Sequence, residues 1–218
     1  LEYDDVANDQ RKVIYEQRNE LLEATDVGET ITVMRQDVID ETIAMHIPEG
    51  SVEEQWDVPS LEKALQGELN LNLPLQRMLE SNPDLHEENI RESVQTAAQE
   101  AYSAKEQMAG AETMRQFERA VMLQSLDNHW REHLASLDHL RQGIHLRGYA
   151  QKSPKQEYKR EAFELFGSLL QAVRLDVTKT LMTVEVQEPE DVAAVQPPVS
   201  PLEHVEYHHA DYEEALNT

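Results

Sequence analysis

Along most of this chain, hydrophobic residues recur every three or four positions, which is the spacing of one face of an α-helix. The first such segment covers residues 2–23, and two longer ones cover residues 111–140 and 154–181. No strand-rich stretch competes with these segments. The pattern therefore predicts an all-α, elongated fold built on long amphipathic helices.

The first helical pattern starts without a capping residue, and its apolar positions are in phase from the outset. The chain also begins at Leu1 rather than at a methionine. We therefore expect this chain to be a piece of a longer protein.

Residues 25–110 have a different pattern, because four prolines divide them into short segments. These prolines are Pro48, Pro59, Pro74 and Pro83. Ser51 with Glu54 three residues later has the pattern of a capping box, and Ser60 is a candidate N-cap of the next helix. We predict a small helical subdomain whose core, rather than a ligand pocket, is formed by Trp56, Leu61, Leu65, Leu71, Leu73, Leu75 and Met78.

The two longest segments can bury their apolar stripes against each other as an antiparallel helical hairpin. The first stripe consists of Met114, Phe117, Val121, Leu126, Trp130, Leu134, Leu137 and Leu140. The second consists of Tyr158, Ala162, Leu165, Phe166, Leu169, Val173, Val177 and Leu181. At about 1.5 Å per residue, each arm would be about 40 Å long.

The turn between these arms contains residues that are typical of helix ends and helix starts. Gly143 and Gly148 provide the backbone freedom that the end of the first arm needs. Ser153 has the place of an N-cap, Pro154 fits the first helical position, and Gln156 completes a capping box. The second arm should therefore start at Pro154. The residues before it are expected to form an exposed loop that carries Ile144, His145, Leu146, Arg147, Tyr149 and Lys152.

Charge is distributed unevenly along the chain, whose net charge is −24. Residues 141–160 carry six basic residues against one acid. A basic turn on an acidic body suggests a contact surface, and a solvated loop is the alternative. The overall charge argues against nucleic acid as a partner. Residues 183–218 have four prolines and no Lys or Arg, and eight acids from Glu188 onward, so they are expected to be a disordered linker or tail.

Several kinds of chemistry find little support in the composition. The chain has no cysteine, which excludes disulfides, thiolate zinc sites and cysteine nucleophiles. No apolar run approaches the roughly 20 residues that span a bilayer, and no signal peptide is visible. His129 and His133 lie four residues apart on one helical face, yet the pattern H-E-x-x-H is absent and no third metal ligand is evident. We expect no metal site and no catalytic residue in this chain.

Three long segments closely resemble the C-terminal part of the SecA family, the motor subunits of the bacterial Sec preprotein translocase. They read YDDVANDQRKVIYEQRNELL at residues 3–22, GAETMRQFERAVMLQSLDNHWREHL at residues 110–134, and LDHLRQGIHLRGYAQKSPKQEYKREAFELF at residues 137–166. The resemblance covers the chain from its start to about residue 183. It implies four parts: the end of a long scaffold helix at 1–24, a helical wing domain at 25–110, a two-helix finger that regulates the ATPase at 111–182, and the tail at 183–218.

The resemblance also implies roles for individual residues. The family's finger-tip tyrosine corresponds to Tyr149, preceded by Arg147 and Gly148, and the tip would contact the translocating preprotein at the channel mouth. The expected contact residues are Tyr149, Arg147, Gly148, Ile144, Leu146 and Lys152. Trp130 corresponds to a tryptophan that packs against neighbouring domains. Asp4 and Asp5 fall in the scaffold segment that communicates with the nucleotide-binding domains.

The implied partners are the SecYEG channel, a preprotein with its signal peptide, and the remaining SecA domains. Arg147, Lys152 and Lys155 could meet acidic channel loops or anionic lipid head groups, and simple solubility of the tip is the alternative. The implied location is the cytoplasm, peripherally at the inner membrane. Whether exposed stripes also pair two copies into a homodimer is left open.

No phosphate-binding G-x-x-x-x-G-K-[ST] loop occurs, so ATP and Mg²⁺ are expected in motor domains outside this chain. The family's C-terminal zinc motif, which needs cysteines, is also absent. Two rival interpretations are a free-standing coiled-coil adaptor, which the uncapped start disfavours, and a metal-dependent helical hydrolase, which the histidine spacing disfavours.

Overall fold

The computed structural model describes residues 2–82, 85–144 and 153–186. The chain divides into two units, Leu1–Val186 and Gln187–Thr218, and the second unit lies outside the described residues. The described residues form seven α-helices and one 3₁₀ turn, and they contain no strand, which confirms the all-α prediction. The helices are α1 (Glu2–Glu23), α2 (Gly28–His46), α3 (Val58–Leu69), α4 (Leu75–Ser81), α5 (Glu87–Ala109), α6 (Ala111–Gly143) and α7 (Pro154–Thr183), and the 3₁₀ turn is Glu53–Gln55.

The two longest helices, α6 and α7, run antiparallel. Ser125 near the middle of α6 donates a hydrogen bond to Asp176 late in α7, at 2.6 Å. Leu137, near the end of α6, instead shares a cluster with Tyr158 at the start of α7. Because positions that rise along one helix meet positions that fall along the other, the two helices point in opposite directions.

Helix α1 lies beside this pair and is antiparallel to α6. Arg119, early in α6, donates to the carbonyl of Ala24 at the end of α1. Arg18 forms an ion pair with Asp127 at 3.0 Å. The apolar stripes of α6 and α7 therefore face a third helix as well as each other, an arrangement that the hairpin prediction did not include.

One continuous apolar core joins all seven helices. It includes Ile14 of α1, Ile39 of α2, Leu65 of α3, Val94 of α5 and Val177 of α7. Leu75 of α4 and Met114 of α6 belong to the same cluster. Of the predicted core residues in the segment 25–110, Leu61, Leu65, Leu71 and Leu75 are buried, whereas Trp56, Leu73 and Met78 are partly buried against the core.

The predicted helix boundaries at the turn are confirmed, and Ser153 is the N-cap residue of α7 as predicted, whereas the predicted caps at Ser51 and Ser60 are wrong. Helix α6 ends at Gly143 and α7 starts at Pro154, yet the Ser153 side chain makes no capping hydrogen bond. The Ser51 hydroxyl accepts from the Trp56 indole at 2.9 Å instead of capping a helix. Side-chain hydroxyls have several local partners within reach, so spacing alone does not select among them.

Helix α3 starts before the serine that was expected to cap it. Asp57 is the N-cap, and its carboxylate accepts from the Ser60 backbone N–H at 3.2 Å. Pro59 lies in the first turn, where its missing N–H does no harm. Ser60 is therefore a residue of the first turn rather than the cap.

A sharp corner separates α5 from α6. Gly110, the single residue between them, has φ of +83°. L-residues with a Cβ atom rarely adopt such values, so glycine is required here although the space around it is open. The corner allows α6 to leave the segment 25–110 and run alongside α1.

We predict opposite effects of alanine at two glycines. Gly167 lies inside α7, where an added Cβ would meet no atom within 4 Å, so Gly167→Ala should raise the free energy of unfolding by about 0.5–1 kcal/mol. Gly110→Ala should lower it by about 1 kcal/mol or more because of its positive φ. Urea titration followed by circular dichroism measures both. Equal signs for the two variants would contradict the prediction.

Candidate functional site

The predicted tip lies mostly outside the described residues. Leu146, Arg147, Gly148, Tyr149 and Lys152 belong to residues 145–152, for which no structural statement is made. Their predicted contacts therefore stay predictions. The described structure does show what lies directly on either side of them, namely the end of α6 and the start of α7.

Ile144 corrects the expectation of an exposed loop. Its side chain is fully buried, against Leu137 on α6 and against Tyr158 and Ala162 on α7. The reason is periodicity: Ile144 lies seven residues after Leu137, so it continues the apolar stripe past the end of the helix. In this arrangement Ile144 supports the base of the tip, and its predicted contact with a preprotein has no exposed surface.

Helix α1 also takes part in the base of the tip. Val6 and Ala7 pack against the small cluster formed by Leu137, Ile144, Tyr158 and Ala162, which we call the distal cluster. The distal cluster is separate from the main core. The base of the tip is therefore held by three helices through a small apolar contact.

The two aspartates singled out on α1 lie near the same end. Asp4 is 3.8 Å from the Arg141 guanidinium, and both side chains are more than half exposed. Such an ion pair contributes little to stability because solvent screens it. Asp5 lines a shallow depression together with residues of the next two turns of α1. Their predicted role toward nucleotide-binding domains stays a prediction.

Trp130 is buried and belongs to a polar joint between three helices. Its ring stacks on His133 with centroids 5.4 Å apart, and His133 meets the Phe166 ring edge-on at 5.8 Å. His133 Nε2 lies 2.7 Å from the Gln10 side-chain oxygen. Because an amide oxygen only accepts, Nε2 carries the proton in this contact. Burial of Trp130 confirms its place on the apolar stripe of α6, whereas its predicted packing against neighbouring domains stays a prediction.

Gln10 completes this joint. Its Nε2 donates to the backbone oxygen of Ala162 at 2.9 Å, so one side chain of α1 bonds to both α6 and α7. We call Gln10, His133, Trp130 and Phe166 the three-helix joint. Gln10 and His133 were not predicted as a pair. A signal existed, since Gln10 is a polar residue four positions from both Val6 and Ile14 on an apolar face.

Burial lowers the pKa of the His133 imidazole. The neutral ring is thus the form that the folded protein favours. His129, one turn earlier, points elsewhere: its Nε2 is 3.4 Å from Asp176. Among the described residues no group of three or more His, Cys, Asp or Glu side chains could hold a metal ion.

A second buried polar cluster links α5 and α6. Glu118 is fully buried, accepts a 2.5 Å hydrogen bond from the Tyr102 hydroxyl, and lies 3.0 Å from the Arg115 guanidinium. Arg35 of α2 stacks over the Tyr102 ring, 4.3 Å from its centroid. Burial raises the pKa of the Glu118 carboxyl, whereas the Tyr102 hydrogen bond and the Arg115 charge lower it. The adjacent positive charges allow this carboxylate to be buried.

None of the described helices is both long enough and apolar enough to cross a membrane.

Residues 1–185 match the family model of the SecA Wing and Scaffold domain. The chain belongs to this SecA family. The match includes α1, both long helices α6 and α7, and every element between them. It confirms the resemblance drawn from the three sequence segments, and it favours a translocase region over a free-standing adaptor.

Named relatives agree with the SecA assignment. The chain is 68% identical over 216 residues to the protein translocase subunit SecA of Methylobacillus flagellatus. It is 61% identical over 216 residues to SecA 1 of Nitrosospira multiformis, and 60% identical over 217 residues to SecA of Thiobacillus denitrificans. These matches cover 99%, 99% and 100% of this chain but only 24% of each relative. The chain thus spans about a quarter of the length of these curated relatives.

The buried histidine predicts a pH dependence. Because the pKa of His133 is lower in the folded state than the unfolded value of about 6.5, only the unfolded chain takes up this proton as the pH falls through that value. The contribution of neutral His133 to the free energy of unfolding is fully present above the unfolded pKa. It is lost as the pH falls from the unfolded pKa to the lower folded pKa. In urea titrations at several pH values, the free energy of unfolding should therefore fall more steeply with decreasing pH in the parent chain than in His133→Gln. The exposed His139→Gln variant is the control, and equal slopes for all three would contradict the prediction.

The buried carboxylate predicts a large mutational effect. Glu118→Ala should lower the free energy of unfolding by about 3 kcal/mol, since it leaves the buried Tyr102 hydroxyl without its acceptor and removes the buried partner of Arg115. Glu112→Ala, on the exposed first turn of the same helix, should change it by less than about 0.5 kcal/mol. Chemical denaturation measures the difference, and a loss below about 1 kcal/mol for Glu118→Ala would show that the cluster is not a stabilising unit.

Proposed function

We propose that this chain is the scaffold, wing and finger region of a SecA-type, ATP-driven protein translocase, and that it transmits motion of the motor to a preprotein at the SecYEG channel. The observation that carries the proposal is the antiparallel pair α6 and α7, with the basic segment at its free end. A pair of helices that long acts as a stiff lever when its base is held.

The base of this lever has many attachments to the segment 25–110. Arg174 of α7 lies 3.3 Å from Asp37 and 3.1 Å from Glu41, both on α2. Lys179 of α7 lies 3.1 Å from Glu68 of α3. These pairs are partly exposed, so each contributes modestly, but together they hold one half of α7 against α2 and α3.

The end of α7 has a stronger attachment. The Lys105 ammonium of α5 donates to the carbonyls of Leu181 at 3.2 Å and Val184 at 2.8 Å, and also to that of Met182. Helix ends leave four carbonyls without partners, and a cation there also meets the negative end of the helix dipole. Lys105 therefore closes the helix and joins it to α5 at the same time.

This geometry supports a separate proposed role for each part of the chain. Nucleotide-driven motion in domains outside this chain would reach α1, and the three-helix joint would pass it to α6 and α7. Tyr149 would grip the preprotein, because an aromatic ring with a hydroxyl contacts varied chains without requiring one sequence. Arg147 and Lys152 would face acidic channel loops or anionic lipid head groups at the inner membrane.

The remaining parts of the proposal concern chemistry and regulation. The chain itself would have no catalytic residues and no cofactor, with ATP and Mg²⁺ bound by other domains of the longer protein. Packing of Trp130 would restrain the motor when no channel is bound. Asp4 and Asp5 would lie on the side of α1 that communicates with those domains.

The tip contact is tested by Tyr149→Ala in the full-length translocase. We expect the amount of preprotein transported per ATP hydrolysed to fall about tenfold or more, because a lost anchor residue in a contact costs about 1.4 kcal/mol or more. Transport into channel-containing vesicles and phosphate release measure the two quantities.

Tyr15→Ala is a matched control for this experiment, since Tyr15 is an exposed tyrosine of α1 outside the tip. It should leave the transport per ATP unchanged. Unchanged transport in Tyr149→Ala would exclude the proposed tip contact, whereas loss in both variants would show that any exposed tyrosine has this effect.

A further inference from the structure

We infer that Gln10 is a positioning residue that sets the register of α6 and α7 on α1, and that this register is what couples motor motion to transport. The inference rests on the proposed function, but its structural half can be tested without it. Gln10 was not among the site residues that the sequence or the family resemblance led us to expect.

The first step is the unusual connectivity of this side chain. A glutamine amide has one acceptor and one donor end, and Gln10 uses one on each neighbouring helix: the oxygen with His133 of α6, the nitrogen with the Ala162 carbonyl of α7. Both contacts are buried. One side chain therefore requires three helices to be in place simultaneously.

The second step is that hydrogen bonds define a position where apolar contacts do not. Apolar residues repeat at every turn, so α1 could slide along α6 and α7 by one turn, about 5.4 Å, and bury similar surface. The same slide would separate Gln10 from both partners and leave buried polar groups unpaired, which costs about 1–3 kcal/mol for each group. The joint thus penalises every register except the observed one.

The other polar links from α1 to α6 are less buried than those of Gln10. Arg18 with Asp127 and Asp4 with Arg141 are ion pairs whose partners are each more than a third exposed. Arg119 holds the Ala24 carbonyl at the far end of α1 in a partly buried contact. Long charged side chains in solvent can follow a shifted partner. The two Gln10 contacts, by contrast, are buried.

In the proposed mechanism, motion of the motor reaches the finger through α1. If α1 moves, a joint of defined register moves α6 and α7 with it, and so displaces the distal cluster that supports the tip. A joint without defined register would allow α1 to slip while the finger remained still. Gln10 would therefore affect transport per ATP more than it affects stability.

The experiment separates register from stability in the full-length translocase. Gln10→Leu removes the amide but leaves His133 without its partner, so it should lower the melting temperature. The double variant Gln10→Leu with His133→Leu replaces both groups by apolar ones, which is close to neutral for stability and should restore the melting temperature. Gln17→Leu, an exposed glutamine on the same helix, is the matched control.

Two readouts are measured for each variant. The first is the distance distribution between nitroxide labels at Lys12 on α1 and Glu132 on α6, both exposed, in a full-length protein freed of other accessible cysteines. The second is preprotein transported per ATP hydrolysed. We expect the double variant to show a second distance shifted by about 5 Å and a transport ratio about threefold below the parent, despite a restored melting temperature. Gln17→Leu should match the parent in both.

The outcomes distinguish this inference from the proposed function. A single unshifted distance in the double variant would overturn the inference, as would a parent-like transport ratio together with a shifted distance. The Tyr149→Ala result bears only on the tip contact: unchanged transport there, with a shifted distance and a reduced ratio in the double variant, would remove that contact and leave the positioning role of Gln10 supported.

Discussion

The structure depends on one constraint, which is that α6 and α7 must bury apolar surface along both of their sides. Besides packing on each other, α6 contacts α1, α2 and α5, and α7 contacts α1, α2 and α3. Burial of apolar area is worth about 25 cal/mol per Å², so separating these elements would expose a large and costly surface. Most of the proposed lever and its base consequently belong to one core, while the tip end of the lever rests on the separate distal cluster.

Buried polar groups give this core its specificity. Gln10 with His133, and Glu118 with Tyr102, lie in interfaces that would otherwise be apolar. Apolar burial drives the association of these helices, and each polar pair carries a desolvation penalty. A shifted register would separate each pair and leave its buried donor and acceptor without partners. The exposed ion pairs on α2 and α7 surround the core without deciding its geometry.

Sequence reasoning succeeded and failed for identifiable reasons. The start of α7 at Pro154 and the end of α6 at Gly143 were predicted correctly, since proline fixes φ at a value that suits a helix start and glycine disfavours continuation of a helix. Ile144 was placed in an exposed loop because it follows a glycine, yet it remains in phase with Leu137 and is buried. The capping prediction at Ser51 failed because its hydroxyl bonds to Trp56 instead, and that at Ser60 failed because Asp57 already caps the helix three residues earlier.

The sequence by itself determined the helices, their apolar faces and the membership of the SecA family, because these depend on residue spacing and on long contiguous matches. Only the tertiary structure decided which faces meet. Periodicity states that a stripe must be covered, but it does not say by what, and so the third helix beside α6 and α7 could not be foreseen. The same holds for Gln10: a polar residue on an apolar face signals a partner, and only the packing of three helices shows that the partners are His133 and the Ala162 carbonyl.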